Sequence, residues 1–300
     1  MTQYIELTKR NIRLYIRDKG AVFFSLLTML IVLGLMLLFL GDANVRTITD
    51  AFANLPQRDP VSDKANAELF VLLWTCGGII SINAVTVTLA VYSTMIKDKT
   101  EGKLGAINAC PVSKWVIAFS YMTSAFICSV IICALCLAIS EIYCIIQGAE
   151  PFSVLGHFKL FGMICVNSFT YACIMYFAAS LVKTQGAWGS MGTVVGTLVG
   201  FLGGIYLPIG ALTDSIAALL KCLPVIYGTK AFRSIMMDDI TTKLFSGVPE
   251  EMRLEILEIM GVDLQISDLY IGNAACAVIL AACGIIFLSF GVFFAKKTSK

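Results

Sequence analysis

Charge is scarce in this 300-residue chain and is absent from long stretches of it. Only 14% of the residues are charged, whereas about a quarter are charged in a soluble domain, and 58% are hydrophobic. The charges are clustered, which leaves uncharged runs of roughly 18 residues or more, the length that spans a membrane as a helix. The sequence therefore excludes an ordinary soluble domain and predicts an all-α polytopic membrane protein.

Six runs contain no Asp, Glu, Lys, Arg or His, and each is predicted to cross the membrane. Several exceed the roughly 20 residues that a crossing needs, so tilted or kinked helices are expected. The predicted spans are 21–40, 69–96, 115–140, 160–182, 185–212 and 269–295.

Catalytic chemistry is also missing. The chain has one histidine, and most of its eleven cysteines lie in apolar runs without His or carboxylate neighbours, so no metal site is predicted. No Gly-x-x-x-x-Gly-Lys-[Ser/Thr] phosphate loop and no nucleophile with an adjacent base occurs. We expect no catalytic residue, no cofactor site, no binding of nucleic acid and no enzymatic activity of the chain by itself.

The predicted spans contain no ionisable residue, and this bears on how transport is powered. An ion-coupled carrier usually places Asp, Glu, Arg or His at membrane depth. No inverted repeat is evident either. An ion-coupled secondary carrier or a channel-like protein is therefore the alternative rather than the leading interpretation.

The distribution of charge predicts the orientation. With the amino terminus inside, the inner segments 1–20, 97–114, Lys183 and 296–300 hold 13 of the 22 Lys and Arg but only four of the 20 Asp and Glu. Cytoplasmic segments of membrane proteins carry such an excess of basic residues. Both termini and the 97–114 loop are predicted to be cytoplasmic, and 41–68 and 141–159 to be outer loops.

Three further segments have a recognisable character. Residues 2–19 form a basic amphipathic pattern, which predicts an interfacial helix on the inner membrane surface. Residues 205–268 are too interrupted for two more crossings and are predicted to form a re-entrant outer hairpin followed by an outer insertion at 239–268. In the fifth run, small residues at four-residue spacing favour close packing on a neighbouring span or on a second copy. They are Gly192, Gly196 and Gly200.

Two local motifs resemble a known family. The 97–114 loop, KDKTEGKLGAINACPVSK, contains Glu101-Gly102, Leu104 and Pro111-Val112-Ser113. After the fifth run come Gly204, Pro208, Pro224, Tyr227 and Arg233. With six spans in this order, nearly the whole chain resembles the permease subunits of type-2 ATP-binding-cassette (ABC) exporters, which export drugs, polysaccharides or lipids. The chain departs from that family at Lys103, where Thr is common, at Gly105, where an acidic residue is common, and in the length of the 239–268 insertion.

The resemblance implies partners and an energy source. Two cytoplasmic ABC ATPase subunits would bind ATP and magnesium, and a second permease copy, identical or related, would complete the complex in the cell membrane of a bacterium, in contact with its lipids. The 97–114 loop would form a short helix docked on the ATPase, although a simple solvated connector is the competing interpretation. The implied coupling residues are Glu101, Gly102, Leu104, Ile107, Pro111, Val112 and Ser113.

The resemblance also implies a path for the substrate and a gate on the outer side of the membrane. An amphipathic substrate (a drug, peptide, lipid or glycan) would pass between the second and fifth spans, although helix–helix hydrogen bonding explains each polar residue there equally well. The candidate path residues are Asn83, Thr86, Ser93, Thr193, Thr197 and Phe201. The candidate outer-gate residues are Gly204, Tyr206, Pro208, Pro224, Tyr227 and Arg233.

Overall fold

The computed structural model of the chain describes residues 2–35, 41–53, 55, 58–205, 208–266 and 269–297. These residues form thirteen α-helices, one 3-10 helix (Ile209–Ala211) and one antiparallel pair of two-residue strands, β1 (Gln265–Ile266) and β2 (Leu269–Tyr270). The predicted all-α architecture is confirmed. The helices are α1 (Thr2–Arg17), α2 (Lys19–Leu35), α3 (Gly41–Phe52), α4 (Pro60–Thr100), α5 (Lys103–Ala109), α6 (Lys114–Ile146), α7 (Val154–Leu181), α8 (Gln185–Leu202), α9 (Asp214–Lys221), α10 (Pro224–Met236), α11 (Asp238–Leu244), α12 (Glu250–Ile259) and α13 (Asn273–Lys297).

Helix α4 is the centre of the fold. Its first turn is defined by Asp59, whose carboxylate accepts hydrogen bonds from the backbone N–H groups of Val61 and Ser62, and by Pro60, whose missing N–H costs nothing at this position. The helix has 41 residues, is buried along most of its length, and packs against α3, α6, α7, α8 and α10. At a rise of about 1.5 Å per residue it is about 60 Å long, roughly twice the hydrocarbon thickness of a bilayer.

Four helices among the described residues are long and apolar enough to cross a membrane: α4, α6, α7 and α13. The count becomes five if the bent pair α9 and α10 is taken as one span. Helix α2 is described for 17 residues, because the described part of the first predicted span ends at Leu35. The number of six spans therefore stays a prediction.

The helices extend beyond the predicted spans, so the two predicted outer loops are wrong in extent. Of residues 41–68, α3 and the start of α4 are helical, and of residues 141–159, α6 continues to Ile146 and α7 begins at Val154. The predictions followed hydropathy, which falls at the membrane surface. A helix does not stop there if its polar residues face water or pack on other elements.

The fifth predicted span is wrong at its end, because α8 stops at Leu202 rather than at 212. Gly203 and Gly204 form a turn in which Gly204 has φ 61°. A positive φ costs glycine nothing, whereas it is strained for other residues. The chain then leaves the helix before the 3-10 helix that follows Pro208.

Helix α1 packs along α6. Thr8, Asn11 and Tyr15 are buried, whereas Ile5 and Ile16 are exposed. The helix predicted at 2–19 is present, but part of its surface contacts its own chain. Ile5, Leu14 and Ile16 give the helix an exposed apolar surface of the kind that interfacial helices bury in lipid.

A sharp bend separates α9 from α10, with an angle of 84° between Ser215–Lys221 and Pro224–Met236. The break precedes Pro224, and Tyr227 donates its hydroxyl across it to the carbonyl of Lys221, at 2.7 Å. We call residues 208–236 the hairpin. Helix α12 in the insertion packs against the 3-10 helix of the hairpin.

Candidate functional site

The 97–114 loop holds the seven-residue helix α5 between α4 and α6. Gly102 turns the chain out of α4 with φ 72°, a left-handed conformation that glycine adopts without steric cost. Cys110 is extended, with φ −73° and ψ 155°, as expected for a residue before proline, and α5 ends there. Gly102 and Pro111 therefore bracket one short helix.

The apolar residues of the loop face their own chain. Leu104, Ile107 and Val112 are half-buried and pack against the hydrophobic core. The family resemblance implied that Leu104 and Ile107 anchor the short helix, and in the structure they anchor it to the membrane domain. The outward surface of the loop is made of small and polar residues. The exposed residues of α5 and its C-terminal end are Lys103, Gly105, Ala106, Ala109 and Cys110.

Glu101 stands at the start of the loop with two basic neighbours. Lys103 Nζ lies 2.5 Å from Glu101 Oε2, and Lys97 Nζ lies 4.0 Å from Oε1. The hydrogen bond from Lys103 lowers the pKa of the Glu101 carboxyl. At the other end of the loop, Ser113 is the extended residue before α6, with its side chain exposed.

A buried ion pair ties α4 to α1 immediately before this loop. Arg10 donates from both terminal nitrogens to the two carboxylate oxygens of Asp98, each at 2.8 Å, and Tyr121 of α6 donates to Asp98 Oδ2 at 2.6 Å. The Asp98 side chain is only 4% exposed, and its carboxylate raises the pKa of Arg10. We call Asp98, Arg10 and Tyr121 the Asp98 cluster. It joins three helices at the end of α4.

The next residue, Lys99, joins α4 to a fourth helix. Its Nζ donates to the carbonyls of Ala179, at 2.5 Å, and Val182, at 3.4 Å, where α7 ends. The last carbonyls of a helix lack partners within the helix and attract cations. Asp98 and Lys99 were not identified from the sequence as residues that hold α4 against neighbouring helices. The available signal was that Asp98 is one of only two acidic residues in an otherwise basic loop.

The predicted gate residues meet in and beside the hairpin. Gly204 ends the turn after α8, Pro208 precedes the 3-10 helix, Pro224 begins α10, and Tyr227 bridges the bend. Tyr206, also a predicted gate residue, lies outside the described residues.

Arg233 of α10 is 0% exposed, and each of its three nitrogens donates to a backbone carbonyl. Nε donates to Trp74 O at 3.1 Å, Nη1 to Met260 O at 3.3 Å and Nη2 to Gly204 O at 2.8 Å. The guanidinium also lies 3.9 Å from the centre of the Trp74 ring, whose Nε1 donates to Met260 O at 2.6 Å. We call these four residues the Arg233 cluster. It joins α4, α10 and the C-terminal ends of α8 and α12.

Two glycines of α4 make room for Arg233. A Cβ on Gly77 would lie 3.1 Å from Arg233 Cγ, and one on Gly78 would lie 2.7 Å from Ile205 Cγ1 and 3.2 Å from Arg233 Nη2. Sequence reasoning also missed these positions and Trp74. The signal that points to them is a Gly-Gly pair inside an otherwise bulky span.

An ABC-2 type transporter family model matches residues 2–237, which include α1, the 97–114 loop and the whole hairpin. The chain belongs to the ABC-2 type transporter family. It is therefore a multi-pass membrane permease of an ABC transporter. Comparison with curated proteins gives no match. The family match ends before α11, so the insertion and α13 lie beyond it.

In the permease, the residues predicted to line the substrate path differ in how far they are buried. Asn83 is 2% exposed and donates to Cys136 Sγ of α6 at 2.8 Å, so in this conformation it serves helix packing and does not face a path. The threonine and serine hydroxyls bond to carbonyls of their own helices, and Phe201 is exposed on α8. The residues with such hydroxyls are Thr86, Ser93, Thr193 and Thr197.

The hydroxyl residues of α4 lie on the side of that helix that contacts α8. Thr86 and Ser93 are half-buried and share a face with Leu89, whose carbonyl accepts a hydrogen bond from Trp188 of α8 at 3.2 Å. Next to this contact, α8 exposes Thr193 and Thr197. Thr86 and Ser93 therefore lie beside the contact between α4 and α8, and Thr193 and Thr197 lie on the exposed surface of α8.

Within one copy of the chain, the three predicted packing glycines have different surroundings, and their packing on a second copy stays a prediction. A Cβ on Gly192 would lie 3.1 Å from Leu89 Cδ2, and Gly200 is buried, but Gly196 has nothing within 4 Å. Each four-residue step advances about 40° around a helix, so the three positions drift off a single contact line. Gly192 makes a close contact with α4.

Proposed function

We propose that the permease exports an amphipathic substrate, driven by ATP hydrolysis on a separate ABC ATPase that docks on α5. The observation that carries this proposal is the form of the 97–114 loop. Its helix is bracketed by Gly102 and Pro111, packs inward through Leu104 and Ile107, and leaves a surface of small residues outward. A neighbouring protein can approach such a surface closely.

The attachment of the loop supports transmission of motion to the membrane domain. Immediately before the loop, Asp98 binds α1 and α6, and Lys99 binds the end of α7. A displacement of α5 by an ATPase would therefore reach α1, α6 and α7 through α4. This is what a chain without a nucleotide site of its own requires to use ATP.

The proposed assembly has two permease copies and two ATPase subunits, with ATP and magnesium on the ATPases. The basic residues of 97–114 and the amino-terminal helix support a cytoplasmic placement of both, in the cell membrane of a bacterium, with six crossings in all. The second permease copy would face the flank of α4 and α8. Substrate (a drug, peptide, lipid or glycan) would pass along that flank and leave past the hairpin, which acts as the re-entrant outer gate.

Two native cysteines test the orientation. Cys110 in the loop and Cys222 at the bend of the hairpin are both exposed. In sealed right-side-out vesicles, a membrane-impermeant maleimide should label Cys222 at once and Cys110 only after permeabilisation. The reverse pattern would contradict the proposed orientation.

Substitution of the outward face of α5 tests the coupling. The permease would be co-expressed with candidate ABC ATPases of its source organism, and Ala109→Asp compared with Ala53→Asp, which is exposed after α3. Ala109→Asp should reduce co-purification of the ATPase and ATP-dependent transport in proteoliposomes, and Ala53→Asp should reduce neither. Transport by the purified permease on an ion gradient alone would reject the proposal in favour of a secondary carrier.

A further inference from the structure

The cations of the hairpin bind neutral acceptors. Arg233 donates to three backbone carbonyls, Lys230 Nζ donates to Asn273 Oδ1 at 3.0 Å, and Lys221 Nζ donates to the carbonyl of Gln265 at 2.9 Å. Within the part of the chain that the structure describes, no Asp or Glu pairs with Arg233. This charge is held entirely by carbonyl dipoles and one aromatic ring.

The acceptors of Arg233 come from separate segments, and two of them end helices. Gly204 O follows the C-terminus of α8, and Met260 O belongs to the residue that caps α12. A helix C-terminus carries a partial negative charge of about half an electron, which stabilises a nearby cation. The face of Trp74 adds a cation–π attraction.

Neutral acceptors make this attachment reversible. Separating a buried ion pair leaves two uncompensated charges, which is strongly unfavourable. When a guanidinium leaves backbone carbonyls for water, it keeps its hydrogen bonds and leaves only neutral groups behind, which water can also reach once the segments part. The cluster is therefore stable when closed and free to exchange when open.

We propose that Arg233 is the positioning residue of the outer gate, which locks the hairpin and the ends of α8 and α12 onto α4 in the closed state. This rests on the export function proposed above. Because Arg233 of α10 bonds to α4 and to the ends of α8 and α12, one side chain joins α10 to all three segments in the closed state. When that side chain is released, the three hydrogen bonds are lost together and α10 separates from all three segments.

A buried reporter on α10 tests this lock. Thr229 is 1% exposed, its Oγ1 has no hydrogen-bond partner among the described residues, and it lies against Gly203 and α4. Thr229→Cys would be placed in a chain whose exposed or half-exposed cysteines are serines, and labelled with an impermeant maleimide in sealed vesicles. Those cysteines are Cys110, Cys165, Cys222 and Cys283.

We expect Arg233→Gln to speed labelling of this reporter by about tenfold, because at least one charge-assisted hydrogen bond is lost. Arg233→Lys keeps the charge but lacks the guanidinium group that reaches three carbonyls, and it should give an intermediate labelling rate. Arg253→Gln, in the exposed pair with Glu250 on α12, is the matched control and should label as the parent does. Equal rates for the parent and Arg233→Gln would overturn the proposal.

Folding is checked separately, by helix content and by a single species in size-exclusion chromatography. If Arg233→Gln does not insert, Arg233→Lys carries the test, and an unchanged labelling rate then overturns the lock. If neither variant folds, Arg233 is a folding residue and the proposal is rejected.

Adding ATP to the permease–ATPase complex separates the lock from the export proposal. ATP should speed labelling in the parent and change it little in Arg233→Gln, whose gate is already released. Fast labelling in Arg233→Gln with no ATP response in the parent would leave the lock standing and reject ATP-driven export. If ATP speeds labelling in the parent but the parent and Arg233→Gln label at equal rates without ATP, ATP-driven export is supported and the lock is rejected.

Discussion

The Asp98 cluster and the Arg233 cluster fix α4 at two levels, its loop end and Trp74, by different chemistry. At the loop end, Arg10 and Asp98 form a bidentate ion pair, joined by the hydroxyl of Tyr121. At the hairpin end, Arg233 has only carbonyls and the Trp74 ring. Both clusters bury charge, but one pairs it with an opposite charge and the other with dipoles.

The difference predicts which contacts persist during transport. Breaking the Asp98 cluster would leave a carboxylate almost without water, so α1, α4 and α6 are expected to move together at the loop. Breaking the Arg233 cluster leaves neutral carbonyls, so the hairpin can separate from α4 at a lower cost. A permease that receives motion at one end and opens at the other needs this asymmetry.

Substitution of Asp98 should have the largest effect on stability. Asp98→Asn leaves Arg10 without its charge partner, and should lower the free energy of unfolding by about 3 kcal/mol, at the low end for a buried pair because Arg10 is partly exposed. Equilibrium unfolding in detergent, followed by circular dichroism, would measure it. Glu6→Gln, in the exposed pair with Lys9, is the control and should change little. Equal effects of the two substitutions would remove the basis of the comparison.

Filling the space beside Arg233 should have the next largest effect. Gly78→Ala places a methyl group 2.7 Å from Ile205 Cγ1 and should destabilise the fold by about 2 kcal/mol, the cost of overpacking a close contact. Gly196→Ala has nothing within 4 Å and should be neutral or stabilising, since alanine favours helix over glycine. The same unfolding measurement compares them, and a stabilising Gly78→Ala would show that Ile205 and Arg233 do not approach α4 this closely.

Removing one hydrogen bond from the Arg233 cluster should have a smaller effect. Trp74→Phe keeps an aromatic ring under the guanidinium but deletes the donor to Met260 O, which retains its bond to Arg233. We expect a loss of about 1 kcal/mol. The control is Trp188→Phe, which deletes a similar hydrogen bond from an indole N–H of α8 to the carbonyl of Leu89 on α4. Only Trp74→Phe should also speed labelling of the Thr229→Cys reporter.

Substitution at the loop surface should have the smallest effect on the fold. Glu101→Gln removes an exposed ion pair with Lys103, and should leave the midpoint of thermal unfolding unchanged. It should still weaken binding of the ATPase, measured by co-purification or by titration in detergent. A clear fall in the unfolding midpoint would show that Glu101 belongs with the Asp98 cluster rather than with the docking surface.

Local backbone rules explain several turns and helix ends. The turn at Gly102 and the end of α5 before Pro111 follow from the backbone preferences of glycine and proline, and so, in hindsight, does the start of α10 at Pro224. The extent of α4, from Pro60 to Thr100, was not predicted. Hydropathy indicates which residues lie in the membrane, but it does not indicate where the helix begins and ends. Polar residues at both ends of α4 extend the helix into the surrounding protein and water.

The two clusters were not predictable from local rules. Arg10 and Asp98 lie 88 positions apart in the chain, and Trp74 and Met260 lie 186 apart. Nothing in the spacing of such residues tells which helix faces which. Arg233 was selected through the family resemblance as part of a motif, but its acceptors are backbone carbonyls, which any sequence supplies.

The unbroken length of α4 sets a scale for how motion is amplified. Trp74 and Asp98 lie on the same helix, and the 24 residues between these positions correspond to about 36 Å at the helical rise. If α4 tilts as a rigid rod about its loop end by about 10°, the level of Trp74 shifts by about 6 Å. That shift exceeds the 2.8–3.3 Å donor–acceptor distances around Arg233. A rotation of about 10° at the loop end is thus large enough to part the Arg233–Trp74 hydrogen bond, about 36 Å away along the same helix.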